Sequence, residues 1–267
     1  MTIKIFICGD IVITQEKDAI TSKELGCLIK SSDVAICNFE APIESEGKPI
    51  PKAGPHVKQH VEALKMVKKT GFTHCSLANN HIYDYGEIGL HKTLDVAEEN
   101  SLKTFGAGKT WDEAYALKLY EVNDMRIGML AYCEAEFGCL LEDEGRGGYA
   151  YINHGSVCKR MMDARKDVDI LIIIVHAGAE DVPLPLPEWR ERYRELCDLG
   201  ADAVIAHHPH VPQGWEKYNG KLIFYSLGNF YFDWENFKIS EDYAYSVMIE
   251  VENKHIVAAI PACRENA

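Results

Sequence analysis

Five separate points along the chain carry side chains suited to metal binding and proton transfer: Asp10, Glu40, Asn80 with His81, His176, and His208 with His210. Each follows directly on an apolar, strand-like run. Carboxylates, a carbonyl amide and imidazoles suit Mn, Fe or Zn, and no thiolate among them forces zinc. A carboxylate such as Glu40 can bridge two cations. Two divalent cations ~3.5–4 Å apart can generate a hydroxide and clamp both oxygens of an in-line displacement. An imidazole that is not itself a ligand can then protonate the leaving oxygen, and His81 is the candidate. A lone Asp after a strand is usually a turn or helix cap, and a lone His there is usually solvated. Five such ends in succession are hard to assign to capping, because perturbed ionisable groups cluster at functional sites.

The elements that must position these groups follow from periodicity and turn chemistry. Strands are predicted at Ile3–Cys8, ended by Gly9-Asp10, and at Val34–Phe39, ended by Glu40. A third covers Gly71–Cys75 and runs into Ala78-Asn79-Asn80-His81. Buried strands at Asp169–Val175 and Ala201–Ala206 end in His176 and in His207-His208-Pro209-His210. In a parallel or mixed sheet these ends lie along one edge, outside the carboxyl ends of the strands, where α/β proteins bind ligands. Helical periodicity marks Ser22–Lys30, Val57–Lys69, Gly86–Glu99, Gly155–Lys166 and Pro187–Leu199, the last with proline suited to its first turn. Two strands flank an Asn123-Asp124 turn within Ala116–Cys133, an Asn219-Gly220 turn leads into a strand at Lys221–Leu227, and Ala244–Val251 with His255–Ile260 form a last hairpin. The proline-rich stretch from Pro42 to Pro55 is long for a connection in a compact domain, which is common in functional loops. Glu134–Gly148 reads as an acidic surface loop. No repeat or linker divides the chain, so residues 1–267 are expected to form one domain.

Composition narrows the partners. The 267 residues are 47% hydrophobic, enough for a full core, and carry a formal net charge of -13. That charge argues against nucleic acid, which needs a basic face, and is compatible with cations. The longest apolar run, Ile170–Val175, is far shorter than a membrane span, and no signal segment opens the sequence. The nine cysteines form no CxxC pair, and Cys8, Cys37 and Cys75 sit in strand-like runs. They read as reduced core thiols of a cytoplasmic protein.

The ordered motifs resemble the capsule-synthesis CapA family, also called PGA_cap for poly-γ-glutamate synthesis. The matching segments are Gly9-Asp10, Asn38-Phe39-Glu40, Ala78-Asn79-Asn80-His81 with Asp84-Tyr85-Gly86, and Gly106-Ala107-Gly108. They continue with Val175-His176, Gly200-Ala201-Asp202 through His210-Val211, and Tyr225-Ser226-Leu227-Gly228-Asn229-Phe230. The resemblance spans residues 3–233, and its ordered set is far more specific than any one motif. That family looks like a branch of the calcineurin-like metallophosphoesterases. The resemblance implies a four-layer αββα sandwich with two mixed β-sheets, joined by the 244–260 hairpin, and a centre of two divalent metal ions. Asp10 would bind the first, Glu40 would bridge, Asn80, His176 and His208 would bind the second, and His210 would return to the first. His81 matches the histidine that assists the leaving group.

Three departures stand out. Asp10-Ile11-Val12 lacks the histidine of the Asp-x-His pattern, Glu40 replaces a bridging aspartate, and His176-Ala177-Gly178 stands where the family usually has His-Trp-Gly. Around the centre, Asn79, Glu180 and Asn229 resemble positions near the site. Asp84 would either orient His81 or cap the next helix. Lys52, Arg146 and His56 are the cations available to an anionic substrate, or else solvated side chains. The implied function is phosphoester hydrolysis linked to capsule or poly-γ-glutamate synthesis, on a small anionic or polymeric substrate such as a phosphate ester or polyglutamate. Two alternatives remain: a γ-glutamyl amide hydrolase, and a non-catalytic metal- or polymer-binding accessory of the capsule synthesis machinery.

Overall fold

A computed structural model describes residues 2–122, 124–235 and 244–263, with side chains to residue 260. The chain runs β1 (Ile3–Val12), α1 (Lys23–Lys30), β2 (Val34–Phe39), α2 (Ala63–Thr70), β3 (His74–Ser76), α3 (Gly86–Glu99), β4 (Lys103–Phe105) and β5 (Ala107–Gly108). It continues with α4 (Trp111–Ala114), β6 (Lys118–Val122), β7 (Met125–Cys133), β8 (Cys139–Leu140), β9 (Gly148–Ala150), α5 (Val157–Asp167), β10 (Ile170–His176) and α6 (Pro187–Asp198). Last come β11 (Ala203–His207), β12 (Pro212–Tyr218), β13 (Lys221–Leu227), β14 (Asn229–Phe232), β15 (Tyr245–Glu252) and β16 (His255–Cys263).

Two mixed sheets face each other. One is 7-stranded, in the order β16-β15-β1-β2-β3-β4 with β14 paired to β1; the other is 6-stranded, β12-β13-β11-β10-β7-β6. The strands β1, β2, β3 and β4 are mutually parallel, as are β7, β10, β11 and β13. Their carboxyl ends therefore meet at one edge of the sandwich.

Strand alternation explains the layers. In β10, Ile170, Ile172 and Ile174 share one core with the 7-stranded sheet, while Leu171, Ile173 and Val175 share another with Val157, Met161, Tyr193 and Leu196 of α5 and α6. From the other side, Leu25, Ile29, Leu64, Val67, Leu90 and Ala97 bring α1, α2 and α3 into the first core. The result is the expected four-layer αββα sandwich. The same alternation points His176, in phase with Ile174, between the sheets.

Several elements differ from the sequence expectation. Asp10 does not follow β1 but lies inside it, where the pairing with β2 and β14 shifts register. The helix expected over Val57–Lys69 begins only at Ala63. The preceding stretch is held instead by the Val57 amide on Asp84 Oδ2 at 2.7 Å, by the Gln59 amide on the Pro42 carbonyl at 2.8 Å, and by the His60 amide on the Ile13 carbonyl at 2.7 Å. Tertiary hydrogen bonds override helical periodicity there. The turn between β12 and β13 has Asn219 and Gly220 both at positive φ, 48° and 82°, which matches the right-handed strand twist. Asn123 lies outside the described residues; its flanking strands β6 and β7 are antiparallel, as expected. Cys8, Cys37 and Cys75 are buried thiols. No helix among the described residues is long and apolar enough to cross a membrane.

Candidate metal centre

The edge where the parallel strands end gathers Asp10, Glu40, Asn80, His176, His208 and His210, all buried. One close approach of backbone makes this possible. A Cβ on Gly9 would lie 1.8 Å from the Gly228 carbonyl oxygen, so only glycine lets β1 meet the β13–β14 turn. The Asp10 amide then donates to that oxygen at 3.1 Å. Non-glycine residues with positive φ also cluster here: Ala41 at 105°, His208 at 94° and His210 at 57°. Such conformations persist where surrounding structure over-determines them, commonly at functional sites.

The donors crowd around Glu40: ligand atoms of Asp10, Glu40 and His176 lie within 4.8 Å of one another, as do those of Glu180, His208 and His210, and taken in the pairing that the family resemblance implies they make two corners. In one, His176 Nε2 lies 3.0 Å from Asn80 Oδ1, 3.0 Å from His208 Nδ1 and 3.9 Å from Glu40 Oε1. In the other, His210 stands with Nδ1 3.8 Å from Asp10 Oδ2 and Nε2 3.8 Å from Glu40 Oε1. Ligands about 2.0–2.2 Å from a shared cation are separated by comparable distances. Glu40 supplies the test of fit: it is fully buried, and neither carboxylate oxygen has a hydrogen-bond partner. Burial pushes its pKa well above the ordinary carboxylate range, and the charges of Asp10, Glu180, Asp84 and Glu136 add to the effect. A buried carboxylate without partners is costly, and cations bound by its oxygens would remove that cost. The donor set therefore fits divalent metal.

The imidazoles have matching electrostatics. Burial lowers the pKa of His176 well below normal and that of His208 to about 3, with neighbouring histidines adding to both shifts. They are therefore neutral, the form in which imidazole binds metal. Their remaining nitrogens are placed by other groups. His210 Nδ1 is 2.9 Å from Asn229 Oδ1, His208 Nε2 is 3.8 Å from Glu134 Oε1, and His176 Nδ1 is 3.1 Å from Asn38 Nδ2. The Asn229 oxygen is an acceptor of the kind that orients a metal-binding imidazole, whereas Asn38 Nδ2 is itself a donor and Glu134 lies beyond hydrogen-bond distance of His208.

His81 sits beside the two corners in a separate network. Its Nδ1 is 2.8 Å from Asp84 Oδ2, and that oxygen also accepts from the Val57 amide. Lys52 forms an ion pair with the other oxygen of Asp84, and its Nζ is 3.4 Å from His81 Nδ1. The Lys52 side chain is only 3% exposed, so it is a buried cation and not a solvated one. Helix α3 is capped at Tyr85 without a side-chain bond, so Asp84 orients His81 and leaves the helix end alone. Asn79 donates to the Phe39 carbonyl at 2.9 Å and ties the His81 loop to the end of β2.

The remaining candidates divide. Glu180 is exposed, with a carboxylate oxygen within 4.8 Å of ligand atoms of His208 and His210. Arg146 bonds to Glu144 and to the Gly147 and Cys139 carbonyls within its own loop. His56 bonds to the Ile50 carbonyl at 2.7 Å. Sequence reasoning missed four groups. Asn38 donates to Asp10 Oδ1 at 2.7 Å. Gln59 bonds through Nε2 to the Glu40 and Ala41 carbonyls and accepts through Oε1 from the Ile13 amide. Glu134 accepts from the Gly178 amide at 2.9 Å, and burial raises its pKa to about 7 against the opposing pull of that bond. His207 lies 3.7 Å from Asp10 Oδ1. Asn38 and His207 were in view as parts of motifs; Gln59 and Glu134 carried no sequence signal.

Comparison with known proteins fixes the family. The model of the bacterial capsule synthesis protein PGA_cap matches residues 4–234. The chain belongs to the PGA_cap family. It is similar to the capsule biosynthesis protein CapA of Bacillus anthracis, 33% identical over 212 residues that cover 77% of this chain and 52% of that protein. It is also similar to the PGA biosynthesis protein CapA of Bacillus subtilis, 32% identical over 209 residues, 77% of this chain and 55% of that protein. A probable polyglutamine synthesis accessory protein of Mycobacterium tuberculosis is 26% identical over 216 residues, covering 77% of this chain and 57% of that protein. The PGA_cap chain described here thus spans about half the length of these curated relatives. Among solved structures, a hypothetical protein from Thermus thermophilus superposes with a TM-score of 0.57 at 16% identity, covering 97% of this chain and 98% of that one. A 5'-nucleotidase precursor from the same organism gives 0.57 at 11% identity, over 98% of this chain and 54% of that one. These likenesses establish the metallophosphoesterase-like fold.

Proposed function

We propose that this PGA_cap chain is a dinuclear metal-dependent hydrolase acting on phosphate esters, in the service of capsule or poly-γ-glutamate synthesis. The observation that carries the reading is Glu40, buried between two donor sets with both carboxylate oxygens unpartnered. Asp10 and His210 would hold the first cation with Glu40 as the bridge; Asn80, His176 and His208 would hold the second. Two cations there would supply Lewis acidity, activating water and neutralising charge on the oxygens of the transferred group. His81 would protonate the departing alcohol through Nε2, since Nδ1 is engaged by Asp84. Lys52 holds Asp84 from its other side and keeps that pair in register. Asn79, Asn229 and Glu180 complete the surroundings, and Arg146 serves its own loop. The substrate would be a small anionic or polymeric phosphate ester, received by the cations, because the chain's net charge of -13 offers no broad attraction to anions.

A second reading is a non-catalytic accessory of the capsule synthesis machinery that binds metal or polyglutamate. It is favoured by the mycobacterial relative, which is named a probable polyglutamine synthesis accessory protein. A third, γ-glutamyl amide hydrolysis, uses the same groups on a carbonyl.

The test is turnover by protein reconstituted with Mn, Fe or Zn, on phenyl and p-nitrophenyl phosphate mono- and diesters and on a γ-glutamyl anilide. Phosphate-ester cleavage should fall in Asn80→Ala and His81→Ala, and the His81 loss should be larger for phenol, the poorer leaving group. Full activity in both variants would sink the mechanism. Metal uptake without turnover of any substrate moves the assignment to the accessory reading, and turnover of the anilide alone moves it to amide hydrolysis.

A further inference from the structure

His207 is the last residue of β11, paired in register with His176 on β10, so both side chains face the space between the sheets. It is fully buried, and neither ring nitrogen has a hydrogen-bond partner. Its Nδ1 lies 3.7 Å from Asp10 Oδ1, the oxygen that already accepts from Asn38 Nδ2 at 2.7 Å. The other oxygen, Oδ2, faces the opposite way, 3.8 Å from His210 Nδ1 and 3.4 Å from the His208 amide. Val12, at the position where an Asp-x-His pattern would place an imidazole, packs instead with Ala41 and Val57 in a small apolar cluster.

We propose that His207 is a positioning residue for Asp10: the Asn38 amide bonds Oδ1, and the buried His207 ring, its Nδ1 3.7 Å from that oxygen, flanks the same side of the carboxylate, so that Oδ2 is the oxygen turned toward the first cation. The inference rests on the dinuclear reading and deepens it. A carboxylate bonded at one oxygen by Asn38 and flanked there by a buried imidazole has little freedom to rotate, so a corner with a single imidazole, His210, presents a fixed ligand. His207 acts through Asp10 and not as a ligand, because it lies on the Oδ1 side while His210 lies on the Oδ2 side. Asn38 bonds Asp10 and also lies 3.1 Å from His176 Nδ1, whereas the His207 side chain approaches Asp10 without a hydrogen bond, and this separates their effects.

The experiment is Mn(II) binding to the whole chain, followed by EPR and calorimetry, for wild type, His207→Ala, His207→Asn and Asn38→Ala. His207→Ala should weaken the first cation about 10–100-fold, the usual loss when a group supporting a metal ligand is removed, and leave the second unchanged. The retained second site shows that the variant is folded. His207→Asn, whose amide N–H can reach the Nδ1 position, should recover most of the loss, and Asn38→Ala should weaken both cations. Two unchanged affinities in His207→Ala overturn this proposal and leave the hydrolase reading standing, as does an Asn variant no better than Ala. Wild-type protein that takes up no cation overturns both.

Discussion

The two corners around Glu40 are built differently. The corner of Asn80, His176 and His208 closes on one atom, His176 Nε2, with two neighbours at 3.0 Å. It draws on three strand ends from both sheets. The corner of Asp10 and His210 is wider, with 3.8 Å separations, and Val12, two residues past Asp10, packs in an apolar cluster with Ala41 and Val57. Its order comes from bonds around it: Asn38 on Asp10, Asn229 on His210, and Gln59 on the backbone of Glu40. On the dinuclear reading one corner would be made rigid by its ligands and the other by their supports, and the two should respond differently to mutation.

The largest effect should come from breaking the tight corner. His208→Ala is expected to lose the second cation and, with several kcal/mol of transition-state stabilisation, roughly a thousandfold or more of activity. His210→Ala should lose the first cation and retain the second. If either variant loses both cations, or neither, the corners are not separate. Next, His81→Ala should lower kcat by about 10²–10⁴, the range for a positioned general acid, with cation content intact; cation loss would place His81 among the ligands.

Stability is expected to divide in the same way. Asp84→Ala leaves the Lys52 ammonium buried without its carboxylate, at a cost of about 3–5 kcal/mol, read as a lower denaturant midpoint. Lys52→Met with Asp84→Ala should recover most of it, and both should keep the tight corner's cation. The smallest effect is a pH slope. Burial, reinforced by Lys103, Lys118 and Lys68, lowers the pKa of His74 on β3 to about 3. The unfolded chain takes up that proton near pH 6.5 and the folded chain does not. Stability is therefore full above about pH 6.5 and declines toward pH 3, by at most about 3 kcal/mol at pH 4 from this group. His176 and His208 shift in the same direction, so His74→Gln should flatten only part of the slope. Saturating Mn(II) should change the remainder if it arises at the metal centre.

What the sequence made legible follows from the range of the interactions involved. Strands such as β2 and β10 are specified by apolar runs, and the ligands at their ends are chemically distinctive, so those donors could be read residue by residue. In the sequence Gly9 looks like a terminator and puts Asp10 just beyond β1; the register shift and the pairing with β14 are long-range events. The helix expected from Val57 was displaced by Gln59 and by the amide of Val57 itself, whose partners are distant in sequence. Lys52 looked like a solvated loop cation because nothing local announces its pairing with Asp84. Glu134 looked like surface acid because its burial depends on β10 and β11.

The most direct test of the central claim is elemental analysis of protein purified without chelator and then reconstituted, beside the His208→Ala/His210→Ala double variant. The account predicts about two equivalents of Mn, Fe or Zn in the wild type and near-complete loss in the double variant. A wild type that holds no metal after reconstitution, or a double variant that holds as much as the wild type, would contradict it.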